Sequence, residues 1–167
     1  KDINVANDSD VVVYLDGINP KTQPATVRES GAYSNIALTI PHDWEYETER
    51  GNNSGEYCIS FWPADQTEGK IKMWYQTAFG VCGTGLEEKE ITVGEYKAWQ
   101  GTYDNKKVWD FISFRGVAGS YVAMNEGADK WWSQYGDEAM QILSSVKLAE
   151  GVLTEQQVID LAKKDVT

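Results

Sequence analysis

The chain is poor in the residues that usually announce an enzyme: 167 residues hold two cysteines and a single histidine. Cys58 and Cys82 are too few for a disulfide framework, and they lack the C-x-x-C spacing of a zinc or redox motif. One bridge or two free thiols stay open as alternatives. A hairpin turning near Gln66 would set Cys58 opposite Tyr75, leaving Cys82 about seven residues past that point, so a bridge needs the connection to fold back. His42 sits in "IPHDWEY" with no local serine or cysteine to activate, which fits a strand-end turn better than a catalytic triad. No stretch approaches the roughly 18 consecutive apolar residues of a membrane span. Basic residues are scarce: 15 Lys and Arg against 26 Asp and Glu leave a formal charge of −11, which repels a phosphate backbone and excludes nucleic acid as an expected partner. The first residues carry no initiator Met, charged n-region or apolar h-region, so any targeting peptide is expected to be removed or absent.

Cofactor signatures are equally thin. "GVCGTGLEE" at 80–88 has the G-x-G of Gly83 and Gly85, but Glu88 stands where a dinucleotide loop needs its third glycine, and the following "KEITV" reads as a strand. No D-x-[DN]-x-[DN]-G calcium loop is found. The carboxylate pairs Glu87/Glu88 and Asp137/Glu138 could do acid/base work only if a cleft joined distant partners, so a solvated acidic surface is the expected role. No catalytic residue, metal ligand or cofactor is therefore expected.

What is present is a domain-sized chain with a buried core. A chain of this length buries about 70% of its unfolded surface, and 41% hydrophobic with 25% charged residues excludes a disordered chain. Residues 1–35 carry one strand-like run, "DVVVYLDG" at 10–17, then turn-rich sequence, and read as an N-terminal extension. Period-two patterns follow at Ile36/Leu38/Ile40, Tyr57/Ile59/Phe61 and Ile71/Met73/Tyr75. Further strands are expected in "EITV" at 90–93, "YKAWQGTY" at 96–103, "VWDFISF" at 108–114 and "SYVAM" at 120–124.

The period then becomes helical. At about 100° per residue, Trp131, Trp132, Tyr135, Ala139, Ile142, Leu143 and Val146 fall within an arc of about 120°, so both tryptophans are expected to pack on a sheet. Gly136 within this helix costs about 1 kcal/mol relative to Ala, small against burial of two indoles of about 150 to 250 Å² each. A second helix begins at "LTEQQVIDLAKK", with Thr154 and Gln157 as a capping box and Leu153 and Val158 as its staple. Residues 151–167 thus read as a terminal helix, docked or opening a further domain.

If Ile59, Phe61, Ile71, Met73, Ala98 and Ile112 face the helix, alternation sends Trp62, Trp74, Trp99, Tyr103, Trp109 and Phe111 to the opposite face. Four indoles would expose about 800 Å², more than a soluble monomer leaves bare. Either the 1–35 extension covers this patch, or it binds a glycan or a protein through Trp62, Trp74, Trp99, Tyr103 and Trp109.

The segment order "NIALTIPHDWEY", "YCISFWP", "KIKMWYQ", "YKAWQGTY", "WDFISF" and "WWSQYGDEAMQILSSVKL" resembles the PsbP-like domains over roughly Ile36 to Leu148. The resemblance implies an antiparallel sheet sandwiched by helices, in accessory or binding modules that are often extracytoplasmic proteins or lipoproteins of bacteria. It transfers no functional residue, because the metal-binding histidines of some plant members have no counterpart here. The expected fold is α+β, a central antiparallel sheet with a long C-terminal helix on one face, over residues 36–150. The expected function is non-enzymatic binding of a protein or cell-surface component, outside the cell or at its envelope, held to a membrane only through a missing N-terminal lipid or tether. Carbohydrate binding, with Lys72, Gln76 and Gln100 bonding hydroxyls, is the alternative; a carboxylate-based hydrolase is the least expected.

Overall fold

The computed structural model describes residues 23–31 and 34–149. Ten strands and one α-helix, preceded by a 3-10 turn at Ala128–Lys130, occupy this span: β1 (Ala25–Gly31), β2 (Ser34–Ile40), β3 (Trp44–Arg50), β4 (Tyr57–Pro63), β5 (Lys70–Gln76), β6 (Leu86–Val93), β7 (Tyr96–Tyr103), β8 (Phe111–Phe114), β9 (Ser120–Glu126), α1 (Trp132–Ser144) and β10 (Lys147–Ala149). Seven strands form an antiparallel sheet in the order β3-β4-β5-β9-β8-β7-β6, and three form a second one in the order β1-β2-β10. The molecule is mainly a β sandwich, which corrects the α+β expectation. The helix has 13 residues rather than a long span, and it shares its layer with a second sheet.

The partition follows from where apolar side chains alternate. Ile59, Phe61, Ile71, Met73, Ala98 and Ile112 are all fully buried on one face of the large sheet. Ile36, Leu38 and Ile40 of β2 are buried as well, but β2 pairs with β1 and β10 and so belongs to the opposing layer. Two packed layers each contribute one apolar face to a shared core. Residues 25–31 and 34–35, expected as part of an extension, supply β1 and the start of β2, paired from Ala25↔Ile40 to Gly31↔Ser34. The run at 10–17 and the capped helix at 151–167 lie outside the described residues.

The helix completes the second layer. No side chain caps its start; Trp131, buried, anchors it by donating its indole N–H to the Gly69 carbonyl at 3.1 Å. Trp132 stacks on Trp131 with centroids 6.2 Å apart, and Gly136 is where that second indole lies, since a Cβ there would meet Trp132 Nε1 at 2.7 Å. Ala139, Ile142, Leu143 and Val146 are buried behind them. At the far end the Thr39 amide donates to Ser145 Oγ at 2.9 Å within the second layer, and the Tyr121 hydroxyl of β9 donates to the Ala149 carbonyl of β10 at 2.8 Å, tying the two layers together. Among the described residues no helix is long and apolar enough to cross a membrane.

Both edges of the large sheet are charged. β3 alternates Glu45, Glu47 and Glu49 with Tyr46 and Thr48, and β6 runs Glu87, Glu88, Lys89, Glu90. Such edges resist pairing with another chain. They also explain why β3 escaped the apolar period: both of its faces are largely exposed.

Candidate functional site on the outer face of the large sheet

The face of the seven-stranded sheet turned away from the core is built by register. One row across the strands reads Glu49, Cys58, Trp74, Val122, Ser113, Trp99 and Glu90; the next reads Glu47, Ser60, Lys72, Met124, Phe111, Gly101 and Glu88. Trp62, Trp74, Trp99 and Tyr103 lie on this face and are half-buried. Trp109 does not. It precedes β8, is 4% exposed, and stands edge-to-face against Trp132 at 5.5 Å within the core. Gln100, opposite Ile112, also belongs to the inner face. The expected bare patch of four indoles is therefore three indoles, none of them fully exposed.

Topology explains the cover. β5 lies mid-sheet and β6 at the edge, and the alternating strand directions make the two run the same way, so residues 77–85 must cross β9, β8 and β7. This crossover is held along its length. Glu56 accepts from the Thr77 amide at 3.0 Å and the Thr77 hydroxyl at 2.9 Å, Phe79 meets Phe111 edge-on at 5.4 Å, and the Tyr103 hydroxyl donates to the Cys82 carbonyl at 3.2 Å. Hydrogen bonds from the Asn53 side chain and from Thr77 hold the Glu56 carboxyl down to about 2.

Lysines occupy the ring faces on the other side of the crossover. Lys70 Nζ stands 4.3 Å from the Trp62 centroid and Lys72 Nζ 6.0 Å from that of Trp74, geometries worth about 0.5 to 1 kcal/mol each at exposed sites. Lys72 also bonds Glu49 at 3.1 Å and Glu126 at 3.2 Å. Burial works against its charge, but these two carboxylates outweigh it and hold the ammonium above the usual lysine range. Beneath, burial pushes the Cys58 thiol up to about 12, against a weak contact with Ser60 at 3.6 Å. Cys58 and Cys82 are both free, the first buried and the second exposed; Cys58 pairs with Trp74, one position from the expected Tyr75.

A cleft of about 240 Å³ opens beneath the crossover, lined by Phe79, Val81, Glu88, Phe111, Ser113 and Arg115 among others. The only advance signal for it was Phe79, an isolated aromatic in a glycine-rich connection; the path of that connection depends on strand order. His42 lies exposed in the β2–β3 turn, and among the described residues no group of three His, Cys, Asp or Glu side chains could hold a metal ion. The face thus presents indole and phenyl surface interleaved with fixed charges. No family model matches the chain, and comparison with curated proteins and with solved structures finds no match.

Proposed function

We propose that the chain is a non-enzymatic binding module of the bacterial cell envelope or exterior that contacts a protein or cell-surface component through the outer face of its large sheet. One observation carries this reading: three half-buried indoles, Trp62, Trp74 and Trp99, share the sheet face that the second layer does not cover. Tryptophan concentrates at binding surfaces because it offers large rigid area with a polar tip. The lysines over Trp62 and Trp74 stand on those rings, with Glu47 paired to Lys70 and Glu49 and Glu126 paired to Lys72.

A second reading, carbohydrate, rests on Trp99, a half-buried indole with no cation over its ring among the described residues. Co-sedimentation of the purified protein with cell-envelope fragments tests both. Binding should fall for Trp74→Ala/Trp99→Ala and persist for Thr26→Ala/Arg28→Ala on the other layer. Protease treatment of the fragments should abolish it if the partner is a protein, and periodate if it is a glycan. Binding indifferent to both tryptophans, or a protein that fractionates with the cytosol, would defeat the proposal.

A further inference from the structure

We infer that the cleft beneath the 77–85 crossover binds a small zwitterion with an apolar side chain, a free amino acid or a dipeptide. This rests on reading the outer face as the ligand-receiving one, and gives that face a defined small-molecule subsite.

The cleft combines three kinds of wall. Phe79, Val81 and Phe111 give it an apolar side; Ser113 and Ser120 contribute hydroxyls; Glu88 and Arg115 bring opposite charges. Gly101 makes the space possible. It stands between Glu88 and Phe111 in the same row, and the Phe111 ring leans over it so closely that a Cβ at Gly101 would lie 2.1 Å from that ring. The aromatic wall therefore tips toward Glu88 and clears the strand between them.

The charges select the ligand. Neither Glu88 nor Arg115 joins an ion pair among the described residues, although eight other ion pairs form there. A simple anion would meet Glu88 and a chain of net charge −11. A simple cation would meet Arg115, and a neutral apolar molecule would pair neither charge. A molecule with a carboxylate for the Arg115 fork, an ammonium for Glu88 and an apolar side chain laid against Phe79 and Val81 satisfies all three walls.

Scale agrees. The volume of about 240 Å³ lies below the roughly 300 to 1,000 Å³ of drug-sized sites, which suits a smaller molecule. By strand spacing, the Cα atoms of Glu88 and Phe111 stand about 10 Å apart, and Arg115, just past the end of β8, lies about 13 Å on from Phe111. Glu88 and Arg115 both line the one cleft, and a free amino acid or an extended dipeptide of about 7 Å is short enough to lie between them.

Calorimetric titration of the full chain with leucine, phenylalanine and dipeptides of the two, each also N-acetylated and C-amidated, tests the assignment. Saturable binding is expected for free forms only, weakened at least about tenfold by Arg115→Gln, by Glu88→Gln and by blocking either end. Whether amino acid or dipeptide binds more tightly identifies the source. Both side chains are exposed, so unchanged thermal midpoints should show that the variants remain folded. No saturation by any of these compounds up to about 10 mM, or saturation indifferent to the charges and the blocking groups, overturns the inference. Envelope binding that still depends on Trp74 and Trp99 in that case confines the failure to the cleft; zwitterion binding without any such dependence confines it to the larger partner.

Discussion

Replacing Trp131 should be the most damaging single change at the junction of helix and sheet. Its indole is 2% exposed, donates to Gly69 at 3.1 Å, stands edge-to-face with Trp44 at 5.6 Å and stacks on Trp132. An indole burying about 150 to 250 Å² contributes at most about 4 to 6 kcal/mol at about 25 cal/mol per Å², before the 10–40% that a compact unfolded chain already buries is subtracted. Adding about 1 kcal/mol for the lost hydrogen bond, Trp131→Ala should cost about 4 kcal/mol, inside the range of about 3 to 5 observed for such truncations. That is a large part of the roughly 5 to 15 kcal/mol available to a domain. Trp44 supplies the internal control: it is also buried, but among the described residues its N–H has no hydrogen-bond acceptor. Trp44→Phe therefore sheds an unpaired donor where Trp131→Phe loses a paired one, and should cost about 1 kcal/mol less. Trp99→Ala, half-buried on the outer face, should cost under about 2 kcal/mol. Urea unfolding followed by far-ultraviolet circular dichroism keeps the probe independent of the missing indole. A loss below about 1 kcal/mol for Trp131→Ala, or a greater loss at Trp99 than at Trp131, would refute this account of the helix.

Three further outcomes can be checked. Glu56 has its carboxyl lowered to about 2 from an ordinary 4.5, so its contribution to stability is complete above about 4.5 and is lost as pH falls from there toward 2; Glu56→Gln should flatten that acid limb in urea titrations, and an unchanged limb would remove Glu56 as the clasp of residues 51–56 to Thr77. Under mildly alkaline conditions a thiol reagent should label Cys82 and spare Cys58, whose thiol is buried and pushed up to about 12, until denaturant is added; equal labelling in the native state would contradict the packing around β4. Gly69 has φ +86° and a Cβ there would lie 2.3 Å from the Gly127 carbonyl oxygen, so Gly69→Ala should destabilise by about 1 to 3 kcal/mol, whereas Gly80→Ala meets nothing within 4 Å and should be close to neutral by thermal melting.

Local patterns carried much of this structure and stopped at particular residues. The alternation of Tyr57, Ile59 and Phe61, or of Ile71, Met73 and Tyr75, is a property of each segment and sufficed to place β4 and β5. β3 was missed because an edge strand of Glu45, Glu47 and Glu49 has no apolar face to alternate, and β10 because three residues hold no period. Trp109 was assigned to the wrong face because parity holds only along a continuous ladder, and β8 begins at Phe111. The candidate site was half legible: Trp62, Trp74, Trp99 and Tyr103 lie on the anticipated face, while Phe79, Glu88 and Arg115 meet only through the crossover.

By itself, then, the order of residues determined the strands with an apolar alternation, β4 and β5 above all, and the apolar stripe of the helix, since each rests on side chains a few positions apart. The tertiary structure decided that β2 joins a second sheet, that β9 inserts between β5 and β8, and that residues 77–85 must cross the outer face. Those choices depend on which apolar surfaces cover one another across large separations along the chain, a comparison among whole arrangements that no local period encodes.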